Sequence, residues 1–247
     1  GENELGAILI DDIPLVDGAG TYGTNGFRLP FTDTSTNQAL GYDAAVTAPT
    51  LNPKGGMDVV TYTGTGSTQS ISSLAFQPDF VWLKDRTSAY SHNISDSVRG
   101  PNKSLFSNAT NAETVGSSTP FLSSFNSDGF TIGGNGDINA SGKNYVAWCW
   151  KAGGAAVSNT DGSITSQVSA STDYGFSIVK YTGSSSGSTV GHSLNSAPKF
   201  IIGKRLNGTS EWSCYHESLG NNNAIILNTS AAGGGSSTWN NTTPTSS

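Results

Sequence analysis

Short apolar runs separated by polar, turn-forming residues extend along most of the chain. The runs are rich in Val, Ile, Tyr, Phe, Trp and Thr, and clusters of Gly, Asn, Asp and Ser separate them. This pattern predicts many short strands joined by tight turns. The run Tyr145–Trp150 is apolar at both odd and even positions, so we expect a strand that is central or covered on both faces.

Three dipeptides are typical of hairpin turns, because Asn, Asp and Gly tolerate the positive φ of a type I′ turn. They are Asp128-Gly129, Asp161-Gly162 and Asn207-Gly208. Around the second of these, Ala155–Ser158 and Ile164–Val168 are predicted to pair as one hairpin.

The first 53 residues differ in pattern from the rest. Ala7–Leu15 is predicted to form one strand, Gly26–Phe31 another, and Thr32–Pro53 a polar connector. This region is interpreted as a leading segment or as the end of a preceding β-domain.

An internal repeat organises the remainder of the chain. Val59–Gly64 recurs as Ile178–Gly183, displaced by 119 positions. Further along, the displacement is 120 and holds for six aligned pairs: Leu74/Leu194, Pro78/Pro198, Phe80/Phe200, Lys84/Lys204, Gly100/Gly220 and Asn108/Asn228. The sequence therefore predicts two copies of one module.

We place the first copy at residues 54–154 and the second at 155–247. Phe130–Ile132 and Asn144–Lys151 have no counterpart in the second copy, so we expect that copy to lack its closing strands and the sequence to be truncated there. A start without Met or a basic region likewise predicts a piece of a longer protein. The predicted fold is all-β, with tandem antiparallel β-sandwich modules of jelly-roll-like shape.

Charge and hydropathy exclude several classes of partner. Only 12% of residues are charged, and the net charge of −6 gives a pI near 4.9. Such a chain has no cationic surface to neutralise phosphates, so we expect no nucleic-acid partner. No apolar run reaches the roughly 18 residues of a spanning helix, so no membrane insertion is expected.

The two cysteines, Cys149 and Cys214, both lie in apolar, strand-like segments. Two buried thiols are the default interpretation. A disulfide between them stays open as an alternative, although a chain of this size does not need one to fold.

The candidate catalytic motif is Gly183–Gly187, which matches the G-x-S-x-G pattern around Ser185. That motif needs a strand-to-helix elbow, whereas these serines lie in a Gly/Ser loop between predicted strands. We therefore interpret the match as chance and expect no catalytic residue. A hydrolase would also need paired carboxylates in a cleft, and the acidic residues are scattered.

Few residues of the sequence have the spacing of metal ligands. His92, His192 and His216 lack the spacing of zinc ligands. Asn126–Gly129 and Asn135–Asp137 could supply oxygen ligands to calcium, but Asn and Asp in turns usually serve the backbone. No cofactor is expected.

Aromatic residues raise the possibility of carbohydrate binding. Trp82 and Trp148 have apolar neighbours and are predicted to be core residues, whereas Trp239 has polar neighbours and is predicted to be exposed. Trp239 is therefore the candidate ligand-contacting aromatic.

Four segments carry a family resemblance: Ala19–Phe27, Asn144–Gly154, Asn159–Ser166 and Tyr215–Gly220. In this order they resemble parts of large virion proteins of tailed bacteriophages, especially marine ones. In such proteins the module is repeated and is associated with tail fibres or other appendages. The resemblance implies no catalytic residues.

The function that this resemblance implies is that of a non-enzymatic structural protein on the surface of a virion. Its expected partners are other virion proteins, further copies of itself in a homo-oligomer, and a host-surface glycan or receptor. The alternative is a carbohydrate-binding module of a secreted or surface protein.

Overall fold

The computed structural model describes residues 51–116, 118–184, 187–230, 233–235 and 237–247, together with the backbone of two short N-terminal strands. The chain divides into two compact units, Gly1–Asn52 and Pro53–Ser247. The described residues are almost entirely β-strand and connecting loops, which confirms the predicted all-β, sandwich-like fold. They include no helix that is long and apolar enough to cross a membrane.

In the first unit, β1 (Leu9–Ile10) pairs antiparallel with β2 (Ile13–Pro14). The prediction of one continuous strand over Ala7–Leu15 is therefore wrong. The sequence places two aspartates between the paired segments, and Asp favours turns because its side chain competes for backbone hydrogen bonds. The predicted strand Gly26–Phe31 and most of the connector lie outside the described residues.

The first copy of the repeat forms two antiparallel sheets. The larger has the order β3-β11-β5-β6-β7-β8 and the smaller the order β4-β10-β9. The strands are β3 (Met57–Thr63), β4 (Gln69–Ser72), β5 (Phe80–Asp85), β6 (Asn93–Asp96), β7 (Lys103–Phe106), β8 (Thr114–Val115), β9 (Leu122–Asn126), β10 (Gly129–Ile132) and β11 (Asn144–Trp150).

The two sheets enclose a hydrophobic core, so this copy is a β-sandwich. Alternate side chains along β5 and β11 are buried, which is the period-two pattern of a sheet with one face on the core. The larger sheet contributes Val60, Val81, Leu83, Ala147 and Cys149, and the smaller contributes Ile71, Leu122, Phe130 and Ile132.

Strand β11 lies between β3 and β5 and pairs with both over its whole length, as its apolar sequence predicts. Tyr145, Ala147 and Cys149 are fully buried on its inner face. The Tyr145 ring stacks on Tyr62 with 5.1 Å between ring centroids. Trp148, on the outer face, is half-buried.

One end of the sandwich is closed by a single helical turn, α1 (Gly136–Asn139). Asn139 is fully buried there, and its amide group makes three hydrogen bonds to the backbone. Oδ1 accepts from Thr65 N at 2.9 Å, while Nδ2 donates to Ser67 O and to Gly133 O. A buried amide needs such partners, because leaving one unmade costs about 1–3 kcal/mol.

The second copy also forms two sheets, with the orders β12-β13-β14 and β15-β16-β17-β18. The strands are β12 (Val157–Asn159), β13 (Ser166–Ser171), β14 (Phe176–Tyr181), β15 (Phe200–Gly203), β16 (Ser213–His216), β17 (Asn223–Ile226) and β18 (Gly234–Gly235).

The strands follow the sequence repeat closely. β14 starts 119 positions after β3, and β15 to β18 each start 120 positions after β5 to β8. Gly100 and Gly220, which follow β6 and β16, both have positive φ, at 90° and 73°. No strand after β18 is found in the described residues, so β9, β10 and β11 have no counterpart there. The assignment of module limits at 54–154 and 155–247 remains a prediction from the repeat.

The three predicted turns differ in detail from the observed ones. Asn126 pairs with Gly129 across Ser127 and Asp128, neither of which has positive φ, so the type I′ assignment is wrong. The β12–β13 hairpin exists as predicted, but residues 160–165 connect its strands, and the Asn159 amide supports this loop through Asp161. Asn207-Gly208 lies within the longer connection 204–212.

The two copies pack against each other through the outer face of the larger sheet. Ile94 and Leu105 on this face form a cluster with Trp212 of the second copy. The indole Nε1 of Trp212 donates to Phe106 O at 2.8 Å and to Ala109 O at 3.1 Å. Trp212 thus joins the two copies both by burying its apolar ring and by donating hydrogen bonds.

Candidate functional site

An open groove of about 400 Å³ lies where the two copies meet. The first copy supplies one wall and the segment after β17 supplies the other. The lining residues are Trp82, His92, Ser107 and Asn108 from the first copy and Leu227, Asn228, Thr229 and Ser230 from the second.

Trp82 is the aromatic surface of this groove. It lies on β5 and faces outward, because Val81 and Leu83 on either side take the inward positions. Its Nε1 donates to Nδ1 of His92 at 3.2 Å. Burial, with a smaller contribution from the Lys84 ammonium, holds the pKa of His92 below its usual range. Since Nδ1 accepts a hydrogen bond, this imidazole is neutral.

Two asparagines from matched positions of the repeat line opposite walls. Asn108 Oδ1 accepts from the backbone N–H of His92 at 2.8 Å, and Asn228 Oδ1 accepts from that of Trp212 at 2.9 Å. Each amide oxygen is thereby fixed. Asn108 also directs its Nδ2 to Ser91 Oγ at 3.4 Å. The repeat thus places the same side chain at the same structural position twice.

This combination of side chains suits a neutral, polyhydroxylated ligand. An indole face supplies apolar contact, while amide and hydroxyl groups nearby supply donors and acceptors. Among the described residues that line the groove, His92 is the one titratable side chain. The described lining thus offers a ligand aromatic contact and hydrogen bonds.

Sequence reasoning assigned Trp82 and Trp148 to the core, and both are half-buried on the outer face, where Trp82 packs against the cluster of Ile94, Leu105 and Trp212. The apolar neighbours in the sequence are the inward-facing residues on either side, so the local composition does not report the direction of the ring. For the two amides, the sequence signal that could have indicated a shared role was the alignment of Asn108 with Asn228 in the repeat.

Trp239, the predicted exposed aromatic, is half-buried. Its ring packs edge-on against buried Tyr215 with 5.7 Å between centroids, and its Nε1 is buried without a hydrogen-bond partner among the described residues. It does not line the groove. A ligand contact at Trp239 remains a prediction.

Of the three histidines considered as metal ligands, His92 lines the groove and the other two do not. His192 and His216 accept local backbone N–H groups from Leu194 and Ser218. Ser185 lies outside the described residues.

The two segments considered for calcium use their asparagines within the fold. Asn135 caps α1 by accepting from Asp137 N, and Asn126 donates to Thr131 Oγ1. Within the described ranges, no group of three or more His, Cys, Asp or Glu side chains is placed to hold a metal ion.

Both cysteines are buried free thiols, as the default interpretation predicts. Burial, with a smaller contribution from the Asp58 carboxylate, raises the pKa of Cys149 to about 12. Burial also raises the pKa of Cys214. Neither thiol has the lowered pKa of a reactive cysteine.

Comparison with known proteins gives one finding. No curated protein and no solved structure matches the chain. Residues 52–247, about four fifths of the sequence, match the model of the family described as a domain of unknown function, DUF7483. The chain therefore belongs to the DUF7483 family.

Proposed function

We propose that this protein is a non-enzymatic structural component of a virion appendage, such as a tail fibre. One structural observation carries the proposal: two copies of the same four-strand meander follow each other at a spacing of 120 residues, and the second packs on the first through Trp212. The resemblance of four sequence segments to bacteriophage virion proteins supports the same role.

The physical argument concerns the way repeats are stabilised. When each repeat buries surface against its neighbour, stability grows with the number of repeats and the assembly can extend without a catalytic centre. Surface polarity here comes mostly from uncharged Ser, Thr, Asn and Gly rather than from the 12% of charged residues. The interactions of such a surface change little with ionic strength, because few of them involve charges that salt can screen. This property suits an extracellular particle.

Mass spectrometry of purified virions tests this role. Peptides from residues 152–180 and 181–199, which Lys151, Lys180 and Lys199 delimit for trypsin, are expected in the particle fraction after density-gradient purification. Their presence only in the soluble lysate, with virion proteins recovered in the same run, would refute the proposal.

A second candidate function is glycan binding at the groove between the copies. The observation that favours it is the placement of the Trp82 indole beside the amides of Asn108 and Asn228. An appendage that contacts a host surface needs such a site, but a carbohydrate-binding module of another surface protein would use the same chemistry.

A pair of matched variants tests glycan binding. Trp82 and Trp148 are neighbours on paired strands, both half-buried on the outer face, and Trp82 alone of the two lines the groove. On a glycan array, Trp82→Leu is expected to abolish signals that the wild type gives, whereas Trp148→Leu retains them. Equal loss in both variants, or no glycan bound by the wild type, would reject the groove as a glycan site.

A further inference from the structure

Strand β15 has a free edge. It pairs with β16 on one side, and no strand pairs with its other side in the described part of the chain. Its counterpart β5 lies between β6 and β11. Because β16 is the counterpart of β6, the free edge of β15 corresponds to the edge of β5 that β11 occupies.

The backbone groups on this edge belong to Phe200 and Ile202. Residues of an antiparallel strand direct their N–H and C=O groups alternately to the two neighbours. Glu217 N donates to Lys199 O at 2.9 Å, so Lys199 and Ile201 point toward β16. Phe200 and Ile202 then point toward the free edge.

The same two residues also carry the exposed apolar side chains of β15. Phe200 is 52% exposed and Ile202 is 37% exposed, whereas their counterparts Phe80 and Trp82 are half-buried. The difference comes from two tryptophans of β11 and from the second copy. Phe176 packs edge-on against Phe80 with 5.7 Å between centroids, and Trp82 packs against the cluster that contains Trp212. Trp150 packs edge-on against Phe80 with 5.4 Å between centroids, and Trp148 packs against Trp82 at 6.4 Å.

The first copy therefore shows what fits such an edge. Strand β11 satisfies the backbone of β5, and it covers the outer side chains of β5 with its own outward tryptophans. In the second copy the backbone edge and the apolar side chains are open together. Lys199 and Lys204 flank the strand, and edge lysines discourage unselective pairing, so a matching side-chain pattern is needed.

We propose that the free edge of β15 accepts, in antiparallel orientation, an extended segment of a partner polypeptide with the side-chain pattern of β11. The register of β5 with β11 places one bulky aromatic side chain of the partner opposite Phe200 and a second opposite Ile202. Recognition then combines backbone hydrogen bonds with alternate side-chain contacts, as in strand addition. This inference does not depend on the proposed virion role.

A synthetic peptide of residues Lys143–Lys151, with Cys149→Ser to prevent oxidation, is the probe. Fluorescence anisotropy of the labelled peptide with the whole chain is expected to show saturable binding in equal stoichiometry. A scrambled peptide of the same composition is expected not to bind. Failure of the wild type to bind the first peptide at up to about 1 mM would overturn the proposal.

Two variants distinguish pairing at the strand edge from nonspecific hydrophobic binding of the peptide. Ile202→Pro removes an N–H from the free edge, a position where an edge strand tolerates proline, and should weaken binding by at least about tenfold. Ile225→Ser is the matched control, because Ile225 is also 37% exposed but lies on β17, away from the edge. Binding that Ile202→Pro leaves unchanged, or that Ile225→Ser weakens equally, would contradict strand addition.

A second copy of this chain is the competing occupant. Sedimentation of the wild type without peptide distinguishes the two occupants. If the edge accepts a partner segment, two copies of the chain are expected not to associate through it. A dimer that Ile202→Pro dissociates and the peptide does not displace would instead identify the edge as an interface between copies.

Discussion

Asn108 and Asn228 make the same hydrogen bond in the two copies of the repeat. Each side-chain oxygen accepts a backbone N–H from the residue 16 positions earlier, at 2.8 Å from His92 and at 2.9 Å from Trp212. The bond fixes the loop before one strand to the loop after the next. An identical residue is needed at both places because the geometry of the meander is repeated.

Asn108→Ala and Asn228→Ala are each expected to lower the free energy of unfolding by about 1 kcal/mol, since each removes the acceptor of one backbone N–H. Urea denaturation measures the change. Asn207→Ala is the control, because Asn207 is exposed and its Oδ1 accepts from exposed Arg205 Nε, and it should alter stability by less than about 0.5 kcal/mol. A loss of stability in only one of the two variants would argue against equivalent roles of the two asparagines.

Trp212→Ala should destabilise the protein by about 3–5 kcal/mol, the usual cost of removing a buried tryptophan. The side chain is 4% exposed and joins the two copies. Trp212→Phe keeps an aromatic ring but leaves Phe106 O and Ala109 O without their indole donor, so an intermediate loss of about 1–3 kcal/mol is expected. Chemical denaturation followed by fluorescence gives both values. If Trp212→Ala unfolded at the same denaturant concentration as the wild type, the result would contradict the observed packing.

Cys149 and Cys214 should resist alkylation in the folded protein at about pH 8 and react fully in denaturant, because both are buried thiols. Intact-mass measurement after iodoacetamide treatment reports the number of modified thiols. Rapid modification of either thiol in the native protein would show that it is accessible.

The raised pKa of Cys149, about 12 against an ordinary 9.0, also predicts the pH dependence of stability. Between these values the unfolded thiol ionises while the folded thiol stays protonated. The contribution to stability is therefore complete below about pH 8 and declines as pH rises above about 9. Cys149→Ala should show a shallower decline across this range than the wild type. Parallel profiles would rule out this linkage.

His92 has the opposite dependence, because its pKa is lowered in the folded state. The unfolded chain binds a proton more readily, so stability is complete above about pH 6.5 and falls as pH decreases below that value. The loss follows from the burial of the imidazole and, to a smaller extent, from the nearby Lys84 ammonium, both of which disfavour the protonated form. His92→Gln should flatten the profile between about pH 7.5 and 5. A profile that stays equally steep in His92→Gln would contradict this linkage.

Part of the fold could be predicted because it depends on local pattern. The apolar run at Tyr145–Trp150 indicated a strand that is central or covered on both faces, and β11 is an interior strand of its sheet, paired on both edges. The repeat aligned Gly100 with Gly220, and both adopt positive φ. Turn geometry was less predictable: the pair Ser127-Asp128, rather than Asp128-Gly129, forms the loop between β9 and β10, because strand register sets the turn position.

The candidate site could be predicted only in part. Asn108 and Asn228 were visible as matched positions, but nothing in their neighbours showed that both would face one groove beside Trp82. The groove forms because the second copy packs on the outer face of the first. Contacts between segments about 120 residues apart leave no local signature in either segment.

The sequence by itself determined the net negative charge, the repetition and most of the strands, because charge follows from composition and side-chain alternation acts over a few neighbouring residues. Only the tertiary structure decided which outer faces are covered. Trp148 and Trp150 cover β5, whereas Phe200 and Ile202 of β15 remain exposed. Two equivalent strands thus differ through their neighbours in space, since burial is a property of packed surfaces rather than of a strand's own residues.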